Sequence, residues 1–237
     1  MEESKELRAT IENLYATFAA YPLRDDTNAC ECCHNPEDEK RLHRKLLREL
    51  DPKDLRLYAA DALFVWGDVA DFKHFLPRIF ELAAAHGNAF EDPSVVFNKL
   101  RPGDWRNWPD VEQRSVERYL NALWSSVLEN QPHESYGEEI EDWLCGIAQA
   151  VAQLSPYLQT WIAMETENAQ LNLAGFIAST NFSNPKCQAN AFWEERAELF
   201  DEVAEWVRGD AVKAKMKAIA AEYSHYDFVE RAYISLP

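Results

Sequence analysis

Residues 110–130, DVEQRSVERYLNALWSSVLEN, decide the fold class. Val116, Tyr119, Leu120, Leu123, Trp124, Val127 and Leu128 recur at intervals of three and four, the spacing that gathers side chains on one stripe of an α-helix. The same period runs outward in both directions. Towards the amino end it carries Leu7, Ile11, Leu14, Tyr15 and Phe18, then Leu55, Tyr58, Ala59, Ala62, Leu63 and Trp66. Towards the carboxyl end it carries Ile140, Trp143, Leu144, Ile147, Val151 and Leu154, then Phe192, Leu199, Phe200, Val203, Trp206 and Val207. No run alternates apolar and polar residues around hairpin chemistry, so strands are not expected.

The punctuation agrees with the periods. Asn35-Pro36, Asp51-Pro52, Asp92-Pro93, Ser155-Pro156 and Asn184-Pro185 each pair a capping residue with a proline. A short polar side chain there accepts from an orphan backbone N–H, and proline in the first turn loses no hydrogen bond. Ser135 to Glu138 reads as a capping box, and Gly67, Gly87 and Gly209 stand where helices would stop. The expectation is an all-α fold, either a short solenoid-like array of helical hairpins or an irregular helix bundle. Asp51 to His86 reads as one such hairpin, hinged at Trp66-Gly67-Asp68, with Pro77 expected to kink its second helix. No linker rich in Gly, Ser or Pro divides the chain, and one domain over residues 1–237 is expected.

Composition narrows the class further. Hydrophobic residues make up 47% of 237, enough for a sizeable core, while only 7 glycines occur, few for the tight βα loops of a doubly wound enzyme. Met1 to Lys5 opens on charge rather than on a basic and then apolar leader, and no apolar run approaches membrane-spanning length. An odd count of 5 cysteines, three of them crowded together, does not suit a secreted disulfide scaffold, so a cytoplasmic protein is expected.

The order Cys30-x-Cys32-Cys33, Trp66-Gly67-Asp68, then Asp71-Phe72-Lys73-His74-Phe75-Leu76-Pro77-Arg78, Trp105-x-x-Trp108-Pro109 and Glu112-Gln113 resembles an uncharacterised family of bacterial all-helical proteins. The likeness covers roughly residues 28 to 128 and is most specific at Phe75-Leu76-Pro77-Arg78. It implies a helical fold and a bacterial origin, and it carries no catalytic residue across.

Two features carry chemistry. Cys30-Glu31-Cys32-Cys33-His34 sets four soft ligands within five residues, with His43 further along. Thiolate and imidazole are the ligands zinc takes, but the spacing matches no familiar zinc motif, and a complete set would have to recruit His43 or Cys187. The cluster lies just ahead of a helix N-terminus, where the dipole lowers thiol pKa, so thiol redox chemistry is the other active reading. Packing as small hydrophobes is the inert one. No other cofactor is expected.

The second feature is charge. Against 24 Lys+Arg stand 41 Asp+Glu, a net −17, and no lysine or arginine lies between Arg118 and Lys186. That stretch holds Glu138, Glu139, Glu141 and Asp142, whereas residues 40–48 gather Lys40, Arg41, His43, Arg44, Lys45 and Arg48. Nucleic acid is disfavoured, since its binding depends on neutralising phosphates, and a membrane partner is not expected. An acidic face over Glu138, Glu139, Glu141 and Asp142 would suit a basic protein partner, including a toxin to be neutralised. Solubility alone, or the basic helix folding back on its own chain, also accounts for the pattern.

Catalytic signatures are absent: there is no nucleophile elbow, phosphate loop or dinucleotide fingerprint, and His133-Glu134 lacks the second histidine of a zinc protease. Asp68, Asp71, His74 and Arg78 could share one side of a helix and do acid–base work, or serve its dipole with Asp71 paired three or four residues on. Glu165, Asn168 and Asn172 share one face, a pocket lining or a satisfied network. Trp105 and Trp108, with Arg101 and Arg106, form either a recognition patch or a loop folded onto the core. The leading expectation is a non-catalytic binding protein. The alternatives are a metal or thiol-redox protein, and an enzyme with a pocket between helices.

Overall fold

Caps and stripes do form helices in the computed structural model, which describes residues 4–27, 29, 30, 32, 35–130, 138–183, 186, 188 and 190–236, with residue 138 described by its backbone. The chain is all-α: among the described residues the sole β feature is an isolated bridge between Ala62 and Trp66. The contacts gather into two compact units, Met1–Leu123 and Trp124–Pro237.

The first unit opens with α1, Lys5–Phe18, where Ser4 accepts from the amide of Leu7 at 3.1 Å and Leu7, Ile11, Leu14 and Phe18 face inward. Next come α2 (Pro36–His43) and α3 (Pro52–Asp61), opened by capping boxes on Asn35 and Asp51, and α4 (Val69–His86), opened by one on Asp68. The short α5, Pro93–Phe97, is capped by Asp92. Residues of α6, Asp110–Glu129, extend through the boundary into the second unit. Helix α4 is the spine of the first unit, packed against α1, α3 and α5. Its Phe80 ring stacks on Tyr119 at 4.8 Å, and the Tyr119 hydroxyl donates to the Phe80 carbonyl at 2.8 Å.

One expectation is corrected here. The stripe ending in Leu63 and Trp66 leaves the helix early, because α3 stops at Asp61 and Leu63 takes φ +66°. A tight turn then brings the Leu63 amide to the Trp66 carbonyl at 3.0 Å, and Gly67 (φ +72°) supplies the left-handed residue that releases the chain into α4. Burial, rather than helical continuity, explains why Trp66 kept the period: it is 2% exposed.

The second unit comprises α7 (Glu138–Ala150), α8 (Ser155–Ala163), α9 (Glu167–Ser179), α10 (Ala197–Arg208), α11 (Asp210–Glu222) and α12 (Asp227–Ser235). Helix α9 is central: every residue from Ala169 to Ile177 is buried, against α7, α11 and α12. Trp161 stands between Trp124 at 5.3 Å and Trp206 at 5.7 Å, and its indole N–H donates to the Ala169 carbonyl at 3.1 Å.

Two further expectations shift. Ser155 begins α8 without capping it; the carboxylate of Glu202 takes the Leu154 amide at 2.9 Å instead. The run from Phe192 is first a 3-10 segment, Ala191–Arg196, and becomes α-helical only at Ala197. The caps expected at Ser135 and at Asn184-Pro185 fall outside the described residues.

Candidate functional site: a dithiol loop and its anchors

Residues 19–35 join α1 to α2 without a regular helix or strand among those described, so side chains must fix their path. Tyr21 donates to Glu112 at 2.6 Å and accepts from Lys73 at 3.1 Å, while Lys73 pairs with Glu112 at 2.6 Å, both side chains 7% exposed. Arg24 straddles the start of α4, with its Nε 2.7 Å from Asp71 and its terminal nitrogen bound to both Asp71 and Asp68. Thr27, fully buried, donates to Glu39 and accepts from the Trp66 indole at 2.6 Å. Burial pushes the Glu39 carboxyl up, yet the donors from Thr27, His43 and Trp66 outweigh it and hold the group below its ordinary value.

These anchors deliver Cys30 to the turn between α3 and α4, where its amide donates to the Val65 carbonyl at 2.9 Å. The Sγ atoms of Cys30 and Cys32 are then 2.8 Å apart, with Cys30 half-buried and Cys32 exposed. Two thiolates on one tetrahedral zinc stand about 3.8 Å apart, from Zn–S bonds of about 2.3 Å. A disulfide bond is about 2.05 Å. The separation of 2.8 Å lies between the two. Cys33, His34 and Cys187 fall outside the described residues, and His43 Nε2 bonds to Glu39 at 3.2 Å. Among the described residues no group of three or more His, Cys, Asp or Glu side chains gathers as a metal site.

The acidic quartet does not share one open face. Glu139 is exposed, Glu141 is 2% exposed, and Asp142 accepts from the Asn190 side chain at 3.0 Å; the Glu138 side chain lies outside the described set. Spacing alone put Glu141 on the surface, but it lies on the buried side of α7 with Trp143 and Leu144. The basic run is locally matched. Lys40 and Arg44 pair with Glu37 at 2.6 and 2.8 Å, Arg41 with Asp38 at 3.2 Å, Lys45 with Asp54 at 2.6 Å, and Arg48 with Glu12 at 2.6 Å.

The remaining candidates resolve into packing. Asp71 pairs with Arg24 and accepts the Asp68 amide at 3.1 Å, and Arg78 binds the Leu50 carbonyl at 2.8 Å and Glu81 at 2.6 Å. Trp105 and Trp108 are buried, and the Trp108 indole donates to the Gly103 carbonyl at 2.7 Å, so that loop folds onto the core. Asn168 and Asn172 donate to the carbonyls of Glu129 and Leu128 at 2.7 and 3.1 Å, a satisfied network closing the end of α6. His133 and Glu134 are outside the described residues. What sequence reasoning missed is Glu39, whose reach to Thr27 and Trp66 depends on a tertiary loop path and leaves no local signature.

Compared with protein-family models, with curated proteins and with solved structures, the chain matches none of them. Among the described residues no helix is long and apolar enough to cross a membrane.

Proposed function

We propose that this is a thiol-redox protein in which Cys30 and Cys32 pass reversibly between dithiol and disulfide. The observation that carries the reading is the 2.8 Å separation of the two Sγ atoms. Cys32 is the exposed member and meets the oxidant, a disulfide of a small thiol or of a protein. Its thiolate attacks one sulfur of that disulfide and expels the other as thiolate, leaving a mixed disulfide. The Cys30 thiolate then attacks Cys32 Sγ and releases the second thiol. Two protein thiols and one external disulfide become one protein disulfide and two external thiols, and the reverse sequence reduces the protein.

The test is oxidation by glutathione disulfide, read by mass on the tryptic peptide 25–40, in a Cys33→Ser background. Loss of two hydrogens without a glutathione adduct is expected. With Cys30→Ser added, the peptide should stop as the Cys32 mixed disulfide. If both thiols stay free in excess oxidant, or if the purified protein carries about one zinc per chain that blocks them, the redox reading fails and the metal reading replaces it.

A second reading, a binder of a basic protein such as a toxin, is favoured by the exposed carboxylates of Glu129, Glu139 and Glu167 within the stretch that holds no lysine or arginine. Charge reversal at Glu129, Glu139 and Glu167 that left co-purifying basic proteins unchanged would end it.

A further inference from the structure

A groove of about 510 Å³ opens in the first unit where α1, the start of the 19–35 loop and the middle of α4 meet. Tyr15, Phe18 and Tyr21 give it aromatic walls, Arg48 stands at one side, and His74 and Pro77 line it from α4. That size holds a small organic molecule, and a mostly apolar lining with few polar groups is the usual character of a ligand pocket.

Which ligand is decided by the polar atoms still open. The Tyr15 hydroxyl donates to Glu81 at 2.5 Å, and burial with the neighbouring Glu81 carboxylate pushes its pKa up, so it stays a neutral phenol turned to Glu81. The Tyr21 hydroxyl is committed to Glu112. Arg48 places both terminal nitrogens on Glu12, at 2.8 and 2.6 Å, and its Cζ stands 3.7 Å from the centre of the Tyr15 ring, so its donors are already engaged. Pro77 brings no N–H to the wall.

His74 differs. Its Nδ1 is 2.8 Å from the Tyr21 carbonyl, and a carbonyl only accepts, so Nδ1 carries the proton and Nε2 keeps its lone pair. Burial lowers the His74 pKa, which favours that neutral form. The groove therefore offers aromatic side chains and His74 Nε2 as an acceptor, with the charged side chains that line it already paired.

We infer that this groove binds a neutral, flat aromatic molecule bearing one N–H or O–H donor, the donor going to His74 Nε2 and the ring lying among Tyr15, Phe18 and Tyr21. A carboxylate or phosphate ligand would find no free cation there, and an ammonium ligand no free carboxylate.

The test uses indole and 1-methylindole, which share the flat ring system and differ in the donor, titrated into the full chain by calorimetry. Indole should bind at one site, with 1-methylindole roughly tenfold weaker, the ratio that about 1.4 kcal/mol from one hydrogen bond gives. His74→Phe should bring the two affinities together while the protein keeps its helical circular dichroism. Ala16→Trp, at an exposed position of the lining, should abolish both. Equal affinities in the unsubstituted protein, or a preference that survives His74→Phe, would overturn the role of His74. Absence of heat with either compound, or binding unchanged by Ala16→Trp, would overturn the site.

Discussion

The amide of Cys30 donates to the carbonyl of Val65 at 2.9 Å, so the dithiol loop is built onto the turn that links α3 to α4. That turn holds two residues with positive φ, Leu63 and Gly67, and its shape is a condition for the thiol geometry. The stability of the turn and the reactivity of the thiols should change together.

Gly67→Ala tests the turn directly. At φ +72° a Cβ would stand 3.0 Å from Asp71 Oδ2 and 3.3 Å from the Tyr58 hydroxyl. The substitution should cost about 1–3 kcal/mol in urea unfolding, from the left-handed backbone and the crowding of a buried carboxylate. Alkylation of Cys30 should become faster in the same variant.

Arg24→Ala should leave the Asp71 carboxylate, 1% exposed, without its principal partner. Because Arg24 is itself 38% exposed, the loss of stability should fall below that of a fully buried pair. Arg24→Lys should recover little, since one ammonium cannot span Asp71 and Asp68 as the guanidinium fork does. Chemical denaturation of the two variants beside the parent measures both.

Lys99 gives a pH signature with a defined sign. Burial lowers its pKa to about 8, while its Nζ donates to the Ala60 carbonyl at 2.5 Å and sits 4.0 Å from the Phe64 ring centre. Between pH 8 and about 10.4, the ordinary lysine value, the unfolded chain binds more protons than the folded one, so this residue's contribution to stability rises with pH. The melting temperature of the parent relative to Lys99→Met should therefore climb across that window. A flat difference would mean that Lys99 titrates alike in both states.

Arg196 holds the end of α7. Its terminal nitrogens donate to the carbonyl of Ala148 and, at 2.8 Å, to that of Val151. Cationic donors at a helix C-terminus satisfy orphan carbonyls and complement the dipole. Arg196→Met should destabilise the second unit by about 2–4 kcal/mol, as two charge-assisted bonds are lost. Arg196→Lys should remain well short of the parent, because a single Nζ cannot serve both carbonyls. Circular dichroism during thermal unfolding distinguishes the two.

Much of the helical plan was legible because caps and periods are local. Asn35, Asp51 and Asp92 cap the helices they precede, and Val116 to Leu128 lie buried along one stripe. The candidate site was legible only as composition. Cys30 and Cys32 stand out in the sequence, but their 2.8 Å approach depends on Arg24, Thr27 and Glu39 bonding to partners up to 47 residues away. Glu141, 2% exposed, shows the same dependence: a charge run shows its sign in sequence, while its direction depends on what packs beside the helix.

The sequence by itself determined that this chain is helical, where several of its helices begin, and which stripes turn inward, since caps and apolar periods act over one or two turns. Only the tertiary structure decided that Asp71 meets Arg24, that Trp105 and Trp108 belong to the core, and that His74 turns one nitrogen to the Tyr21 carbonyl. Those choices are made when buried polar groups must find partners across loops, and the nearest suitable partner in space carries no mark in the one-dimensional order of the chain.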